Sequence, residues 1–322
     1  SAIALAAGYY LATNKIPLVY LQNSGIGNTI NPLLSLCDPF VYKIPLLLLI
    51  GWRGEPGIID EPQHKKQGKI QEKLLKTIGI PHEIIDGQFK EYDSISKLIA
   101  KSKNESRPVA IIVKKNTFSQ YSKKSNDYIS DNVMIREKVL REILNSEIKN
   151  KIFITTTGKT SREFYELRRK NNQISNKDFL TVGSMGHCSQ IALGVALFNN
   201  NEVYCIDGDG SVLMHMGSLA INGTSDCKNF KHIILNNGSH ESVGGQATVG
   251  KKIRFDKIAK NCGYRDSKKV STYDGLKKAI KWLSKEKGPI LLEIIIKNGS
   301  RRNLGRPKES PHKNKVKFMK SI

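Results

Sequence analysis

Two short polar turns in this sequence carry residue types that could grip a charged ligand. Gly208-Asp209-Gly210-Ser211 follows the apolar run "VYCI", and Asn236-Asn237-Gly238-Ser239 follows "FKHIIL". Glycines at the carboxyl end of a strand let backbone N–H groups approach a phosphate closely. A carboxylate in the same place would repel a bare phosphate, so Asp209 fits only with a cation between the two. Mg2+ suits the position, because it takes oxygen ligands and binds through one or two protein groups plus phosphate oxygens. The second turn offers amide and carbonyl oxygens of the same kind. On neighbouring strand ends, Asp209, Asn237 and Ser239 could reach one ion. Either turn alone is an ordinary Gly-Asp-Gly or Asn-Gly turn. The pair, spaced by about one strand–helix–strand unit, points to a metal-and-diphosphate site.

Such turns need strands and helices to hold them, and the hydrophobic periodicity supplies both. Apolar runs at 16–22, 44–51, 82–86 and 107–115 read as strands. Helical spacing occurs at 27–37, 65–79 and 92–103. After the polar, aperiodic stretch 116–132 the alternation resumes. Strands are expected at 151–158, 179–184, 202–210, 230–238 and 289–297, and helices at 132–148, 161–171, 189–200, 253–263 and 273–288. This pattern predicts an α/β protein of two doubly wound domains with mostly parallel sheets. The expected boundaries are residues 1–115, a linker at 116–131, and residues 132–322.

Composition narrows the function classes. The 322 residues carry a formal net charge of +23, but the lysines are scattered and no basic run is interleaved with aromatics. Solvated faces explain this better than nucleic-acid binding, so no nucleic-acid partner is expected. No apolar window is long enough for a bilayer, and "IPLLLLIGW" reads as a buried strand, so no membrane partner is expected either. The five cysteines are widely spaced without a Cys-x-x-Cys pair, which fits a reducing, cytoplasmic setting. Gly-x-Gly-x-x-Gly follows no strand, which argues against a dinucleotide-binding dehydrogenase.

The longer phrases "YLQNSGIGNTINPLLSL", "IGWRGEPGIIDEPQHKKQG", "TTTGKTSRE", "VGSMGHCSQIALGVAL", "GDGSVLMHMGSLA", "LNNGSHESVGGQ" and "LGRPKESP" run nearly from end to end. They resemble the thiamin diphosphate-dependent decarboxylases of the phosphonopyruvate and sulfopyruvate branch. The resemblance implies a pyrimidine-side domain followed by a diphosphate-side domain, with thiamin diphosphate and Mg2+ as cofactors. Asp209, Asn237 and the Ser239 carbonyl would hold the Mg2+, and Gly208, Gly210 and Ser211 would face the diphosphate. Met185, in the turn Gly183-Ser184-Met185-Gly186, would prop the cofactor in a bent shape, with His240 also in contact with cofactor or substrate. The reaction implied is non-oxidative loss of CO2 from a small 2-oxo acid, 3-phosphonopyruvate, giving phosphonoacetaldehyde in phosphonate biosynthesis. The cofactor supplies the electron sink and the protein orients it. The family also implies a homo-oligomer with the cofactor at the subunit interface.

Substrate-side candidates follow from position as well. Asn23, Ser24 and Asn28 lie after the first expected strand and could hydrogen-bond a carboxylate or phosphonate. Arg53 could clamp a dianion and His64 could move a proton. Lys159, Ser161 and Arg162 mark a strand end and helix start that favours anions, Glu241 sits just after the metal turn, and His215 is expected to pack in the helix after Gly210. In the family a glutamate in a Glu-Gly pair activates the cofactor from a position just upstream of "SAIALAAGYYLAT". The sequence given begins at Ser1, so the expectation is a missing amino-terminal segment. Two alternatives stay open: a sulfopyruvate decarboxylase, or a thiamin diphosphate-binding protein impaired by the lost glutamate.

Overall fold

The computed structural model describes residues 2–88, 92–119 and 133–322. Most of the expected linker, together with residue 132 at the start of the helix expected next, lies outside the described residues. The chain divides into two compact units, Ser1–Ser125 and Asn126–Ile322.

The first unit contains α1 (Ala2–Thr13), β1 (Leu18–Gln22), the one-turn α2 (Ile30–Pro32), β2 (Leu46–Gly51), α3 (Pro62–Thr77), β3 (His82–Ile85), α4 (Tyr92–Glu105) and β4 (Pro108–Val113). The strands form one parallel sheet in the order β1-β2-β4-β3. The period of two along β2 explains why both faces are covered. Leu46, Leu48 and Ile50 cluster with Ile3, Ala6 and Ala7 of α1 and Leu75 of α3. Leu47 and Leu49 pack on the other side with Ile85, Val109, Ile111 and Leu98 of α4. The expected helix over 27–37 is instead a 3-10 stretch (Asn23–Thr29), α2 and a π-type turn (Leu33–Cys37). Gly25 and Gly27 weaken helix propagation, and Pro32 lacks the N–H that a regular helix would use.

The second unit runs through α5 (Arg136–Leu144), β5 (Ile152–Thr155), α6 (Lys159–Lys170), β6 (Asp178–Leu180), α7 (Cys188–Leu197), β7 (Val203–Gly208), α8 (Asp209–Met214), α9 (Ser218–Gly223) and β8 (Phe230–Asn236). It continues with the short pair β9 (Ser239–His240) and β10 (Gln246–Ala247), then α10 (Phe255–Asn261), β11 (Asp266–Val270), α11 (Tyr273–Lys285), β12 (Ile290–Ile295) and α12 (Pro311–Met319). Six strands form a parallel sheet in the order β11-β12-β8-β7-β5-β6. Alternate residues of β7 again build two cores. Tyr204 and Ile206 join Leu140 of α5, Phe164 of α6 and Leu283 of α11. Val203 and Cys205 join Ala192 of α7, Leu219 of α9, Phe255 of α10 and Phe318 of α12. Both units are therefore doubly wound α/β layers.

Four elements of this unit depart from the sequence expectation. β11, "DSKKV", is an edge strand whose polar residues carry no apolar alternation. The β9–β10 pair is too short to show a period. α12 lies in the basic tail, where one buried residue, Phe318, anchors it. Its start is marked by Ser310, whose hydroxyl accepts from the Lys313 N–H, and by Pro311 at the first helical position. Among the described residues, no helix is long and apolar enough to cross a membrane.

Candidate functional site

In the second unit the chain runs from β5 outward to β6, then returns to the opposite side of β5 as β7 and continues to β8. The strand order therefore reverses between β5 and β7, which opens a crevice beyond their carboxyl ends. Four turns gather there: Thr156–Gly158 after β5, Gly183–His187 after β6, Gly208–Ser211 after β7 and Asn237–Glu241 after β8.

Asp209 begins α8 and is 2% exposed. Burial raises its pKa, and this is partly offset by hydrogen bonds from the Thr248 hydroxyl and the backbone N–H groups of Asn237, Asp209 and Gly210. No described cationic side chain pairs with it. The Asn237 N–H contact brings the two sequence-predicted turns together. Asn237 and Ser239 are themselves buried, and the Ser239 N–H donates to Asn237 Oδ1 at 3.0 Å. Gly250 closes the far side: a Cβ there would lie 2.6 Å from Asp209 Oδ2 and 2.9 Å from Asn236 Oδ1. A buried carboxylate met by neutral donors alone, beside a buried amide oxygen, offers hard oxygen atoms of the kind a divalent cation takes.

The neighbouring turns are tied to one another. The Gly186 N–H donates to Ser211 Oγ at 3.0 Å, and Thr156 Oγ1 donates to the same oxygen at 3.2 Å. The Gly183 N–H donates to Thr157 Oγ1 at 3.1 Å. Gly183, Ser184 and Gly186 have φ of 71°, 45° and 93°, so the turn carrying Met185 is left-handed over most of its length. Met185 and His240 converge on Gly210: a Cβ there would stand 2.6 Å from His240 Nδ1 and 3.4 Å from Met185 Cε. Only a bare backbone fits beneath these two side chains.

Beside the Asn237 turn lies a buried ion network. Arg136, 4% exposed, donates twice to Glu163 at 2.8 and 2.9 Å and once to Glu241 at 2.7 Å. Lys159 Nζ donates to the other Glu241 oxygen at 2.8 Å. Burial would lift the Glu241 pKa, but Arg136 and Lys159 outweigh it and hold the carboxyl below its ordinary range. Burial dominates at Glu163, whose pKa is raised. Ser161 is turned inward, donating to the Thr156 carbonyl at 2.6 Å. His215 caps the end of α8, half-buried, with its ring 4.4 Å from that of His187.

The first unit places its candidates at the ends of β1 and β2. Asn23 Nδ2 donates to the Arg53 carbonyl at 2.7 Å, and Asn23 Oδ1 accepts from the Arg53 N–H at 3.1 Å, so the two turns are joined. Ser24 donates to Gln22 Oε1 at 2.6 Å, and Asn28 is exposed. Arg53 Nε donates to Asp60 Oδ2 at 2.8 Å, with Nη2 on the other oxygen. Arg53 is thus a fixed cation, and Asp60 is held well below the usual carboxylate range by that guanidinium. His64, on the first turn of α3, is 8% exposed, and its Nδ1 is buried without a hydrogen-bond partner. Burial first, and then the charge of Arg53, lower its pKa. α3 can approach this turn because Gly68 faces Gly54: a Cβ on Gly68 would sit 1.9 Å from the Gly54 carbonyl oxygen.

Sequence reasoning did not single out Arg136, Glu163, Thr156, Thr157, Thr248 or Gly250. Arg136 and Glu163 are 27 positions apart and Arg136 and Glu241 are 105 apart, each in an ordinary helical or loop context. Only the fold juxtaposes them. "TTTG" at a strand end did carry a signal, since hydroxyls beside a glycine suit anion contact.

Comparison with known proteins matches residues 154–294 to the family described as thiamine pyrophosphate enzyme, C-terminal TPP binding domain. The chain is similar to a phosphonopyruvate decarboxylase from Streptomyces viridochromogenes, 33% identical over 325 residues that cover 96% of this chain and 80% of that protein. It is similar to a sulfopyruvate decarboxylase from Methanosarcina acetivorans, 28% identical across 92% of this chain and 80% of that one. A sulfopyruvate decarboxylase subunit beta from Methanococcus maripaludis is 33% identical and covers 56% of this chain and 94% of its own length.

Proposed function

This chain belongs to the phosphonopyruvate decarboxylase family of thiamine pyrophosphate enzymes, and we propose that it is the carboxy-lyase that converts 3-phosphonopyruvate to phosphonoacetaldehyde and CO2, in phosphonate biosynthesis, with Mg2+ as its metal. The observation that carries the metal assignment is Asp209, a buried carboxylate with no cationic side chain paired to it, beside an amide oxygen and a glycine cradle. Asp209, Asn237 and the Ser239 carbonyl hold the ion. Gly208, Gly210 and Ser211 present the backbone to the diphosphate, with Gly183, Ser184 and Gly186 shaping the opposite wall.

When bound, thiamin diphosphate supplies the electron sink for loss of CO2. The chain's residues do the rest. Met185 presents an apolar wedge beside Gly210, and His240 covers the same backbone. Arg53, oriented by Asp60, and the hydroxyl and amide of Ser24 and Asn28 bind the anionic substrate. His64 is held neutral near pH 7, which leaves it able to accept or pass on a proton. The protein works as a cytoplasmic homo-oligomer with the cofactor at the subunit interface, without a nucleic-acid or membrane partner. Free cysteines, four of the five buried, suit a reducing compartment.

A second reading, sulfopyruvate as substrate, is favoured by the similarity to the Methanosarcina acetivorans protein. Steady-state kinetics of the full-length protein on both acids separate the two. A kcat/KM higher for phosphonopyruvate is expected, and a clear preference for the sulfonate overturns the substrate assignment.

A further inference from the structure

Glu241 lies in the turn after β9 and receives three donors at once. Arg136 Nη1 reaches Oε2 at 2.7 Å, Lys159 Nζ reaches Oε1 at 2.8 Å, and Asn237 Nδ2 reaches Oε2 at 3.2 Å. Arg136 is itself fixed by its two bonds to Glu163. The carboxylate is therefore anchored from the start of α5 and the start of α6, and what it touches on the remaining side is the carboxamide of Asn237.

A carboxamide has one end that a cation accepts and one that repels it. An ionised carboxylate only accepts hydrogen bonds, so the end of Asn237 that faces Glu241 must be the NH2. That turns Oδ1 the other way, where one lone pair takes the Ser239 N–H at 3.0 Å and the second stays open. We propose that Glu241 is a positioning residue for the metal: anchored by Arg136 and Lys159, it fixes the Asn237 carboxamide with its oxygen toward the ion held by Asp209. The inference rests on the Mg2+–diphosphate reading above. Partners that orient a metal ligand in this way typically contribute about 10–100-fold in metal affinity.

The swap of donor and acceptor tests it. Glu241→Gln keeps the shape but puts an N–H donor in place of one carboxylate oxygen, so either end of its amide can face Asn237 and the Asn237 carboxamide loses its unique orientation. Titration calorimetry of Mg2+ into full-length protein with saturating thiamin diphosphate should show E241Q weaker than the parent by about 10–100-fold. Asn237→Asp presents oxygen at both ends of the side chain and accepts the Gln N–H. The N237D/E241Q pair should recover most of the lost affinity, while N237D alone, which sets two carboxylates together, should bind no better than the pair. Parent-like Mg2+ affinity in E241Q, or no recovery in the double variant, overturns the proposal, because a purely structural carboxylate is not rescued at Asn237. Uptake of thiamin diphosphate by the parent protein without any divalent ion overturns the underlying reading instead, and with it the proposal.

Discussion

Replacing Arg136 with leucine should expose how the second unit tolerates charge in its interior. The guanidinium is 4% exposed and makes three bonds to two carboxylates, at 2.7, 2.8 and 2.9 Å. Glu163 is 1% exposed and has no other ion-pair partner among the described residues. Removing the cation leaves that carboxylate buried and uncompensated, while Glu241 keeps Lys159. Breaking a buried pair from one side costs about 3–5 kcal/mol. For a unit of this size each kcal/mol lowers the melting temperature by about 2–4 °C, so the fall should be roughly 6–20 °C. Circular-dichroism melts of cofactor-free, full-length protein measure it, so that ligand linkage does not enter. The companion variant R136L/E163L removes both charges and should recover most of the loss, since well-packed apolar residues replace buried pairs at little cost. An R136L melt within about 2 °C of the parent, or a double variant no more stable than R136L, would mean that Glu163 does not depend on Arg136 for its charge balance.

Two further outcomes follow from the same geometry. Gly210→Ala must displace His240 or Met185, because its Cβ would stand 2.6 Å from His240 Nδ1; the overpacking costs the fold about 1–3 kcal/mol, and the displaced side chains should weaken thiamin diphosphate binding by calorimetry, with unchanged affinity refuting their place at the cofactor. His64→Gln should flatten the acid side of the stability profile. Burial and Arg53 lower the His64 pKa below its ordinary 6.5, so the neutral ring stabilises the fold above that value and the contribution is lost as pH falls through the lowered folded value. Melts between about pH 7 and pH 5 should therefore decline less steeply in H64Q than in the parent, and parallel profiles would exclude His64 as the titrating group.

Much of the architecture was legible because burial on both faces of parallel strands leaves long apolar runs, such as 44–51 and 108–113. What escaped was the periphery and the support. β11 is polar because an edge strand has one open side, and α12 hides in a lysine-rich tail with Phe318 as its anchor. The 27–37 segment reads as a helix by spacing, yet Gly27 and Pro32 break it into the end of a 3-10 stretch, one α turn and a π-type turn. At the candidate site, glycines and short polar residues betrayed themselves by local spacing. Arg136 and Glu163 did not, because a charge on an amphipathic helix looks solvated until the fold buries it. Arg53 was legible as a cation, but its fixed pairing with Asp60 depends on the Gly54–Gly68 approach, which sequence spacing does not announce.

The most direct measurement is calorimetric binding of thiamin diphosphate to parent protein and to Asp209→Ala, each with Mg2+ and with a chelator. Tight uptake by the parent is expected only when Mg2+ is present, with loss of that Mg2+-dependent uptake in D209A. Equally tight binding by D209A, with the chelator making no difference to either protein, would contradict this expectation.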